Sequence, residues 1–304
     1  MNYDCAIKGK DLTKKFKSFV LDVPQLSIPK GFATALIGEN GAGKTTLLNM
    51  LAGIRLDYKG ELTFFGQYSS DEKEKSADVK NRIGYTGTGR YYLPQWTISD
   101  VENISSLLFD SFDRDKFHKY CTELAIFPDS PGGFAGNKKC QSLSDGTRTK
   151  LMLAGVLSRD TDLLLLDEPA SPLDPLMRDK LCQLIGDYIS EGAGEKSVLF
   201  STHNISDMES ITDYAIIMEH GRVVEEGFVE DLKEKYILIK GDAQDIEDAT
   251  GILYTITKNP YGFEGICLAE NLDKLAGMNV IKETPSLFQI SVAVMKNNTK
   301  LVIR

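Results

Sequence analysis

The sequence lacks a long hydrophobic run. Hydrophobic residues make up 42% of the 304 positions and charged residues 26%, which is ordinary for a soluble protein. No apolar stretch approaches the roughly 20 residues that a transmembrane helix needs. Residues Met1–Asp4 lead directly into domain-like sequence and do not resemble a signal peptide. We therefore expect a chain that neither spans a membrane nor is secreted, so that any membrane-spanning part must come from a partner.

Paired cysteines and an excess of positive charge are also missing. The five cysteines are odd in number and show no metal-binding spacing, which is typical of thiols in a reducing cytosol and argues against a disulfide scaffold or a zinc site. The formal net charge of -9 argues against broad nucleic-acid binding, which depends on a concentrated basic face. We therefore expect an intracellular protein without a nucleic-acid partner.

What the sequence does contain is a complete phosphate-loop motif. Residues 38–45 fit G-x-x-x-x-G-K-[ST] and lie between an apolar, strand-like run at 33–37 and a helix-like run at 47–51. The glycines let backbone amides turn toward a phosphate, and the following helix adds its positive end. We expect Lys44 to reach the β- and γ-phosphate oxygens and Thr45 to ligate Mg²⁺. The predicted nucleotide-binding residues here are Gly38, Asn40, Gly41, Gly43, Lys44, Thr45 and Thr46.

A second motif supplies two carboxylates. Residues 163–166 are four leucines that predict a strand buried on both faces, and Asp167 and Glu168 follow at its end. In α/β folds, ligands bind at the carboxyl ends of the strands. We expect Asp167 to hold Mg²⁺ through water and Glu168 to polarise the attacking water as a catalytic residue. A leucine run before an acidic turn is more often an ordinary core strand, so this assignment depends on the other motifs.

Three further segments complete an ordered set of motifs, namely Leu143–Arg148, Ser171–Asp174 and Ser201–His203. With them the chain resembles the ATP-binding subunits of ABC transporters, in which a phosphate loop, Q-loop, signature, Walker B strand, D-loop and switch histidine follow one another. The resemblance covers residues from about 6 to about 234. It implies an ATPase that uses ATP and Mg²⁺. It also implies a homo- or heterodimer with a second ATPase subunit, because in this family the phosphate loop and signature of one domain do not meet.

The resemblance assigns roles to the signature and the switch histidine. Ser144 and Gly146 of the signature would grip the γ-phosphate bound by the other subunit. Ser144 is also a good N-cap for the helix that the following residues predict, and a helix N-terminus favours anions. His203 would be a hydrogen-bonding partner of the γ-phosphate and is counted, with Glu168, as catalytic.

Two more assignments depend on position within the motif order. Asp174 of the D-loop is counted as nucleotide-binding. Phe16, which precedes the phosphate loop, matches the aromatic residue that stacks on adenine in the family. A phenylalanine buried in the core is the open alternative for Phe16.

The chain departs from the family's pattern at two positions. Thr88 stands where the Q-loop glutamine is expected, three residues after Tyr85. Its hydroxyl can ligate Mg²⁺ but reaches less far than an amide, and Gln95 is the alternative. Asp145 replaces a glycine of the signature. Because phosphate repels a carboxylate, we expect Asp145 to point away while backbone amides bind the anion.

The apolar periodicity predicts an α/β fold. We expect residues 1–234 to form a P-loop NTPase domain. This domain should have an N-terminal antiparallel β portion and a helical subdomain of about residues 98–157 that carries the signature. Residues 235–304 are expected to form a small C-terminal α+β appendage without a chemical motif.

These inferences predict an ATP-hydrolysing subunit that drives a separate transmembrane permease from the cytoplasmic face of the cell membrane. The single-domain layout and the appendage look like those of bacterial exporter-type subunits, the group that serves antimicrobial-peptide or bacitracin-like export. The alternative is a soluble regulatory ABC ATPase that acts in ribosome function, repair or cofactor assembly without a permease. A nucleotide-binding scaffold without turnover is disfavoured because Glu168 is intact.

Three aromatic residues, Tyr91, Tyr92 and Trp96, follow the Q-loop position in a segment marked by Gly89 and Pro94. The segment has no helical or strand period that would bury all three rings, and Trp and Tyr are frequent in binding hot spots. We expect the permease to contact this segment, chiefly at Trp96. The alternative is that one or two of the rings pack beneath the helical subdomain.

Overall fold

The computed structural model describes residues 3–69, 76–87, 91–127 and 136–302. The strands, in chain order, are β1 (Cys5–Lys15), β2 (Val20–Pro29), β3 (Ala33–Ile37), β4 (Lys59–Phe64), β5 (Tyr68–Ser69), β6 (Ile83–Thr86), β7 (Leu163–Leu166), β8 (Ser197–Thr202), β9 (Tyr214–Glu219), β10 (Arg222–Phe228), β11 (Tyr236–Gly241), β12 (Thr255–Asn259), β13 (Gly262–Leu268) and β14 (Val280–Glu283). The α-helices are α1 (Lys44–Leu51), α2 (Ser76–Asn81), α3 (Ile98–Leu108), α4 (Arg114–Glu123), α5 (Asp145–Leu157), α6 (Pro175–Glu191), α7 (Val229–Lys235), α8 (Ile246–Ala249) and α9 (Leu287–Val302).

The central sheet positions the candidate site. Its strand order is β10-β9-β3-β8-β7-β6, and all pairings are parallel except that of β9 with β10. Strands β3, β7 and β8 are buried along their whole length, as expected for parallel strands covered on both faces. The register pairs Ile37 with Thr202 and Leu166 with Phe200. The carboxyl ends of three strands therefore lie side by side, and the segments that follow them meet at one edge of the sheet.

A second, antiparallel sheet packs on the central sheet. Its order is β2-β1-β4-β5, with β1 paired to β2 along most of its length. Leu12 and Leu21 of this sheet are buried in one cluster with Leu47 of α1 and Leu165 of β7. One apolar face packed on the core and one solvated face are typical of antiparallel sheets. The predicted N-terminal antiparallel β portion is confirmed.

Three α-helices form the predicted helical subdomain. A capping box starts α3, since Asp100 N donates to Thr97 Oγ1 at 3.1 Å and Thr97 N donates to Asp100 Oδ2 at 2.8 Å. Asp113 caps α4 and Ser144 caps α5 through side-chain oxygens. Phe117 of α4 is fully buried in the largest apolar cluster of the described residues, which we call the main core. These caps satisfy amides that each helix leaves unpaired and so set where the helices begin.

The C-terminal region forms a third sheet, with order β12-β13-β11-β14 and antiparallel pairings throughout. Apolar side chains that include Ile239, Phe263 and Cys267 form a separate small cluster beneath it. The sequence predicted such a mixture of strands and helices for residues 235–304, and the structure contains both there.

The last helix, α9, is 16 residues long. Its Leu287, Ile290 and Val294 are buried in the main core together with Met208. Their spacing of three and four residues places them on one helix face. The domain division at residue 234 stays a prediction, and α9 packs into the main core. Among the described helices, none has the length and hydropathy required to cross a bilayer.

Candidate nucleotide-binding and hydrolysis site

The phosphate loop has backbone geometry that favours glycine. Gly41 and Gly43 have φ angles of 89° and 105°, in the left-handed region. At Gly38, a Cβ would lie 2.5 Å from the carbonyl oxygen of Met218 in β9. The loop therefore folds closely against the sheet edge. Helix α1 begins directly after Gly43, so the positive end of its dipole lies at the loop.

The Lys44 side chain lies inside this loop. It is 5% exposed, and its Nζ donates to the carbonyl oxygens of Gly38 and Glu39 at 2.7 and 3.2 Å. Nζ also lies 3.3 Å from Glu168 Oε1. A buried ammonium group is stable only when acceptors surround it, and here three do. The loop thus holds one positive charge where a phosphate would bind.

Thr45 and Asp167 come together, as the sequence predicted. Thr45 Oγ1 donates to Asp167 Oδ2 at 2.8 Å, and Asp167 is 4% exposed. A hydroxyl and a carboxylate are the hard oxygen donors that Mg²⁺ prefers, and Mg²⁺ commonly takes one or two protein groups together with phosphates and waters. Within the described ranges, no cluster of three His, Cys, Asp or Glu could hold a metal. The donor set therefore fits Mg²⁺ bound together with a nucleotide.

Glu168 lies between Lys44 and His203. Its Oε2 shares a hydrogen bond with His203 Nδ1 at 2.8 Å, whereas its buried Oε1 has the ion pair with Lys44 and no hydrogen bond. Its φ of 50° is left-handed, which costs about 1–3 kcal/mol in a residue other than glycine and is common at functional sites. The structure thus holds the Glu168 carboxylate, on a strained backbone, beside the phosphate loop, where a general base for water is needed.

Tyr85 and Asn49 support the site but were not identified as site residues from the sequence. Tyr85 Oη donates to Asn49 Oδ1 at 2.8 Å, which connects the end of β6 to α1. Burial, and next the charge of Asp167, raise the pKa of Tyr85 to about 12. The phenol therefore stays protonated and acts as a donor at neutral pH. The contact depends on the packing of β6 against α1, for which the sequence contains no local signal.

Two clefts open on these residues. The first, of about 560 Å³, is lined by the phosphate loop, by Glu168 and by Phe16, Ser18 and Phe19. Phe16 is 38% exposed, and the guanidinium of Arg55 lies 5.3 Å from its ring centroid. Phe16 is therefore not a core residue, and its position at this cleft is compatible with the predicted stacking on adenine.

The second cleft, of about 430 Å³, lies between the candidate catalytic residues, Glu168 and His203, and α5. Its lining includes Asn40, Asp167, Glu168, His203, Asp145, Arg148, Thr149 and Met152. Asn40 lines both clefts. The candidate site is therefore open on one side to the first cleft, at the phosphate loop, and on the other side to α5, the helix that carries the signature.

The signature begins α5 as predicted. Ser144 Oγ accepts from Thr147 N at 3.2 Å. Arg148 Nη1 donates to Asp145 Oδ1 at 2.7 Å, and the Asp145 side chain is 86% exposed. The Asp145 carboxylate thus pairs with a guanidinium at the surface, which partly offsets the repulsion of a phosphate that its charge would cause. At Gly146, a Cβ would lie 2.8 Å from the carbonyl oxygen of Pro172, so the signature and the D-loop are closely packed.

Other predicted residues are not brought to the phosphate loop. Asp174 is exposed and caps α6, where its Oδ1 accepts from Met177 N at 3.1 Å. Asp174 lines neither of the two clefts. Thr88, the predicted Q-loop and Mg²⁺ residue, lies outside the described residues. Gln95, its alternative, is exposed and lines neither cleft.

The aromatic segment is arranged differently from the expectation. Trp96 is half-buried and packs against the main core, as does Tyr92. Tyr91 and Leu93 are 47% and 48% exposed. Tyr91, Tyr92 and Pro94 line a groove beside α5. The packing alternative therefore holds for Trp96 and Tyr92, and Tyr91 is the exposed aromatic residue.

Gly155, in the last turn of α5, makes room for Tyr92. A Cβ at Gly155 would lie 2.9 Å from Tyr92 Oη. The Gly155→Ala change improves helix propensity by about 1 kcal/mol, but overpacking costs about 1–3 kcal/mol. We expect a net decrease in the free energy of unfolding, measured by denaturant titration. In a Tyr92→Phe background, which lacks the hydroxyl, the same change should be neutral or stabilising. Equal effects of Gly155→Ala in both backgrounds would contradict this steric account.

Sequence comparisons agree with the nucleotide-binding site that the structure indicates. The model of the ABC transporter family matches residues 21–171, which include the phosphate loop and both acids. The tungstate uptake ATP-binding protein TupC of Peptoclostridium acidaminophilum is 32% identical over 213 residues, or 69% of this chain and 93% of TupC. The ABC transporter ATP-binding protein NatA of Bacillus subtilis is 30% identical over 244 residues, or 76% of this chain and 90% of NatA.

Solved structures share the fold. The dimeric structure of a bacterial ABC transporter cassette matches with a TM-score of 0.60 and 23% identity, covering 73% of this chain and 98% of the cassette. A bacterial Atm1-family ABC exporter with ATP bound matches with a TM-score of 0.63 and 17% identity, covering 76% of this chain and 40% of the exporter. The fold and the site together define an ABC-type ATPase. The chain belongs to the ABC transporter family, as one of its ATP-binding subunits.

Proposed function

We propose that this chain hydrolyses ATP as one half of a dimer that closes around two ATP molecules and drives a separate membrane permease. The proposal rests on the position of Glu168 between Lys44 and His203 at the phosphate loop. One chain thereby supplies a cation for the phosphates, a base for water and a hydrogen-bonding group for the γ-phosphate.

Each residue has a defined task in this reaction. The loop amides and Lys44 Nζ bind and orient the phosphate oxygens. Thr45 and Asp167 would hold Mg²⁺, which offsets the charge of the phosphates when it is bound. A Glu168 carboxylate oxygen accepts the proton of the attacking water, and His203 keeps that carboxylate and the γ-phosphate in place through hydrogen bonds. Because the Glu168 carboxylate is half-buried, part of the bulk water is kept away from its contact with the attacking water.

A dimer is supported by groups that lie on the surface of the single chain. Ser144 and the exposed N-terminal end of α5 offer an anion-binding helix end. Leu176, which follows the D-loop, is 80% exposed. Asp174 lies two residues away on the same surface. In a dimer, these groups of one subunit would lie at the nucleotide bound by the other subunit.

We further propose that the permease is an exporter of the antimicrobial-peptide or bacitracin-like group and that the chain acts at the cytoplasmic face of the membrane. The appended C-terminal region and the aromatic segment support this placement. The relatives include an uptake subunit, TupC, so the direction of transport requires its own assay. Reconstituted vesicles with ATP on the side of this chain should move the cargo away from that side, and movement toward it would identify an importer.

The function is tested by ATP turnover of the purified chain and by co-purification with a co-expressed candidate permease, a polytopic membrane protein. We expect Mg²⁺-dependent turnover that the permease changes, and a complex that survives gel filtration. Turnover that no membrane protein changes, together with the absence of any complex with one, would favour the soluble regulatory ATPase. Absence of turnover with and without the partner would contradict the proposed function.

Permease docking is expected to depend on Tyr91. Because Tyr91 is exposed beside the groove along α5, Tyr91→Ala should weaken permease binding by about 2 kcal/mol, or roughly 30-fold, without changing ATP affinity. Binding to detergent-solubilised permease can be measured by biolayer interferometry. Trp96→Ala should mainly lower thermal stability, because Trp96 packs on the core.

Tyr261→Ala is the matched control for Tyr91→Ala. It removes an equally large ring, 92% exposed, from the turn between β12 and β13. If the two variants bind the permease equally well, the docking surface lies elsewhere.

A further inference from the structure

Ser201 touches both acids of the site, although it has no role in the predictions from the sequence. It lies near the end of β8, two residues before His203, and is fully buried. Its Oγ donates to Asp167 Oδ1 at 2.6 Å and accepts from Glu168 N at 2.9 Å. One hydroxyl therefore bridges two consecutive residues of the neighbouring strand's end.

The first contact orients Asp167. The carboxylate accepts from Ser201 at Oδ1 and from Thr45 at Oδ2. These two hydroxyls come from different elements, β8 and α1, and each occupies one oxygen. A carboxylate held at both oxygens cannot rotate freely, so its orientation toward a metal is set in advance.

The second contact holds the backbone of Glu168. With φ of 50°, Glu168 has left β-strand geometry, so its amide cannot continue the strand ladder of β7. The Ser201 hydroxyl accepts that amide inside the protein, where an unpaired N–H would be unfavourable. The same turn aims the Glu168 side chain at Lys44 and His203.

We propose that Ser201 is a positioning residue for ATP hydrolysis, which holds Asp167 and Glu168 in their working geometry and connects them to the strand that carries His203. The inference rests on the proposed function, because it concerns the same hydrolytic site. Ser201 acts through the two acids and does not touch the nucleotide. A purely structural role would affect stability alone, whereas a positioning role affects the chemical step and the dependence on Mg²⁺.

The test compares Ser201→Ala with Ser197→Ala. Ser197 is a matched control because it is also fully buried on β8, at the other end of the strand, where its Oγ accepts from Gly31 N at 2.9 Å. Both variants lose one buried hydroxyl and should lose similar thermal stability. We expect only Ser201→Ala to lower kcat, by about 10- to 100-fold, and to raise the Mg²⁺ concentration for half-maximal activity, with KM for ATP changed less than about threefold.

Two further variants separate positioning from folding. Ser201→Cys nearly keeps the shape but has a weak donor, so it should lose kcat as Ser201→Ala does. Ser201→Thr keeps the hydroxyl and should recover most of the kcat and the Mg²⁺ dependence. If Ser201→Ala does not fold, the comparison of the Cys and Thr variants decides. Wild-type kcat and Mg²⁺ dependence in the Cys variant would overturn the inference. A wild-type chain without ATP turnover would instead overturn the proposed function.

Discussion

Replacement of Glu168 by glutamine is expected to abolish most ATP turnover while ATP still binds. The amide keeps the size of the side chain and can still form a hydrogen bond with His203, but it cannot accept the proton of the attacking water. Loss of a positioned general base typically lowers a rate by about 10²- to 10⁴-fold. Because the phosphate loop and Lys44 remain, the ATP-bound dimer should accumulate.

Two measurements check this result, namely phosphate release and the elution volume on gel filtration with ATP. Glu219→Gln is a suitable control, since it makes the same change in a carboxylate that is 11% exposed, against 16% for Glu168, and that also lies beside a histidine, His220. Glu219 lines neither cleft of the site. Undiminished turnover in Glu168→Gln would refute the role of Glu168, and an equal loss in both variants would point to a general electrostatic effect.

Replacement of Lys44 by alanine is expected to have the second large effect, on binding. Without its ammonium, the carbonyl oxygens of Gly38 and Glu39 and the carboxylate of Glu168 would converge on the phosphate position with no positive charge among them. Removing one partner of such a buried ionic cluster costs about 3–5 kcal/mol. We expect the affinity for ATP to fall by roughly 100-fold or more.

The ATP affinity of the Lys44 variant can be measured by isothermal titration calorimetry. Lys30→Ala is the control, because Lys30 also pairs with a glutamate, Glu195, at a surface away from the clefts. We expect this control to bind ATP as the wild type does, since exposed ion pairs contribute little. An ATP affinity within threefold of wild type in Lys44→Ala would show that the loop amides bind the phosphates without the lysine.

The paired variants also separate the two parts of the site. Lys44→Ala should lose binding and, as a consequence, turnover, whereas Glu168→Gln should lose turnover alone. If Glu168→Gln also loses binding, its ion pair with Lys44 is needed to keep the ammonium in place. ATP binding and ATP hydrolysis would then depend on the same pair of residues and could not be separated by these variants.

The local chemistry of the motifs predicted much of the site. Glycines at 41 and 43 are needed for left-handed backbone, and a run of four leucines before two acids indicates a buried strand that ends at a ligand edge. Ser144 was predicted to cap α5 because serine oxygen satisfies free amides, and it does so. Each of these features depends on a few neighbouring residues and can therefore be predicted from a short stretch of sequence.

The aromatic segment shows where this reasoning fails. Three aromatic rings within six residues indicated an exposed docking surface, but the sequence could not say which ring lies against the core. Gly155 in α5 provides the space for Tyr92, and Trp96 packs on the main core. Which ring stays exposed depends on side-chain volumes contributed by α5, far away in the chain. The permease contact stays a prediction, and the exposure of Tyr91 makes that ring the better candidate for it than Trp96.

The amino-acid sequence by itself determined the class of reaction, because the phosphate loop, the two acids and His203 are defined by residue types at fixed local spacing. Only the tertiary structure decided how these groups act together. The parallel register of β3, β7 and β8 brings Ser201 against both acids and places Glu168 between Lys44 and His203. These contacts join residues more than 30 positions apart, and their distances follow from strand pairing and core packing, which no local pattern specifies.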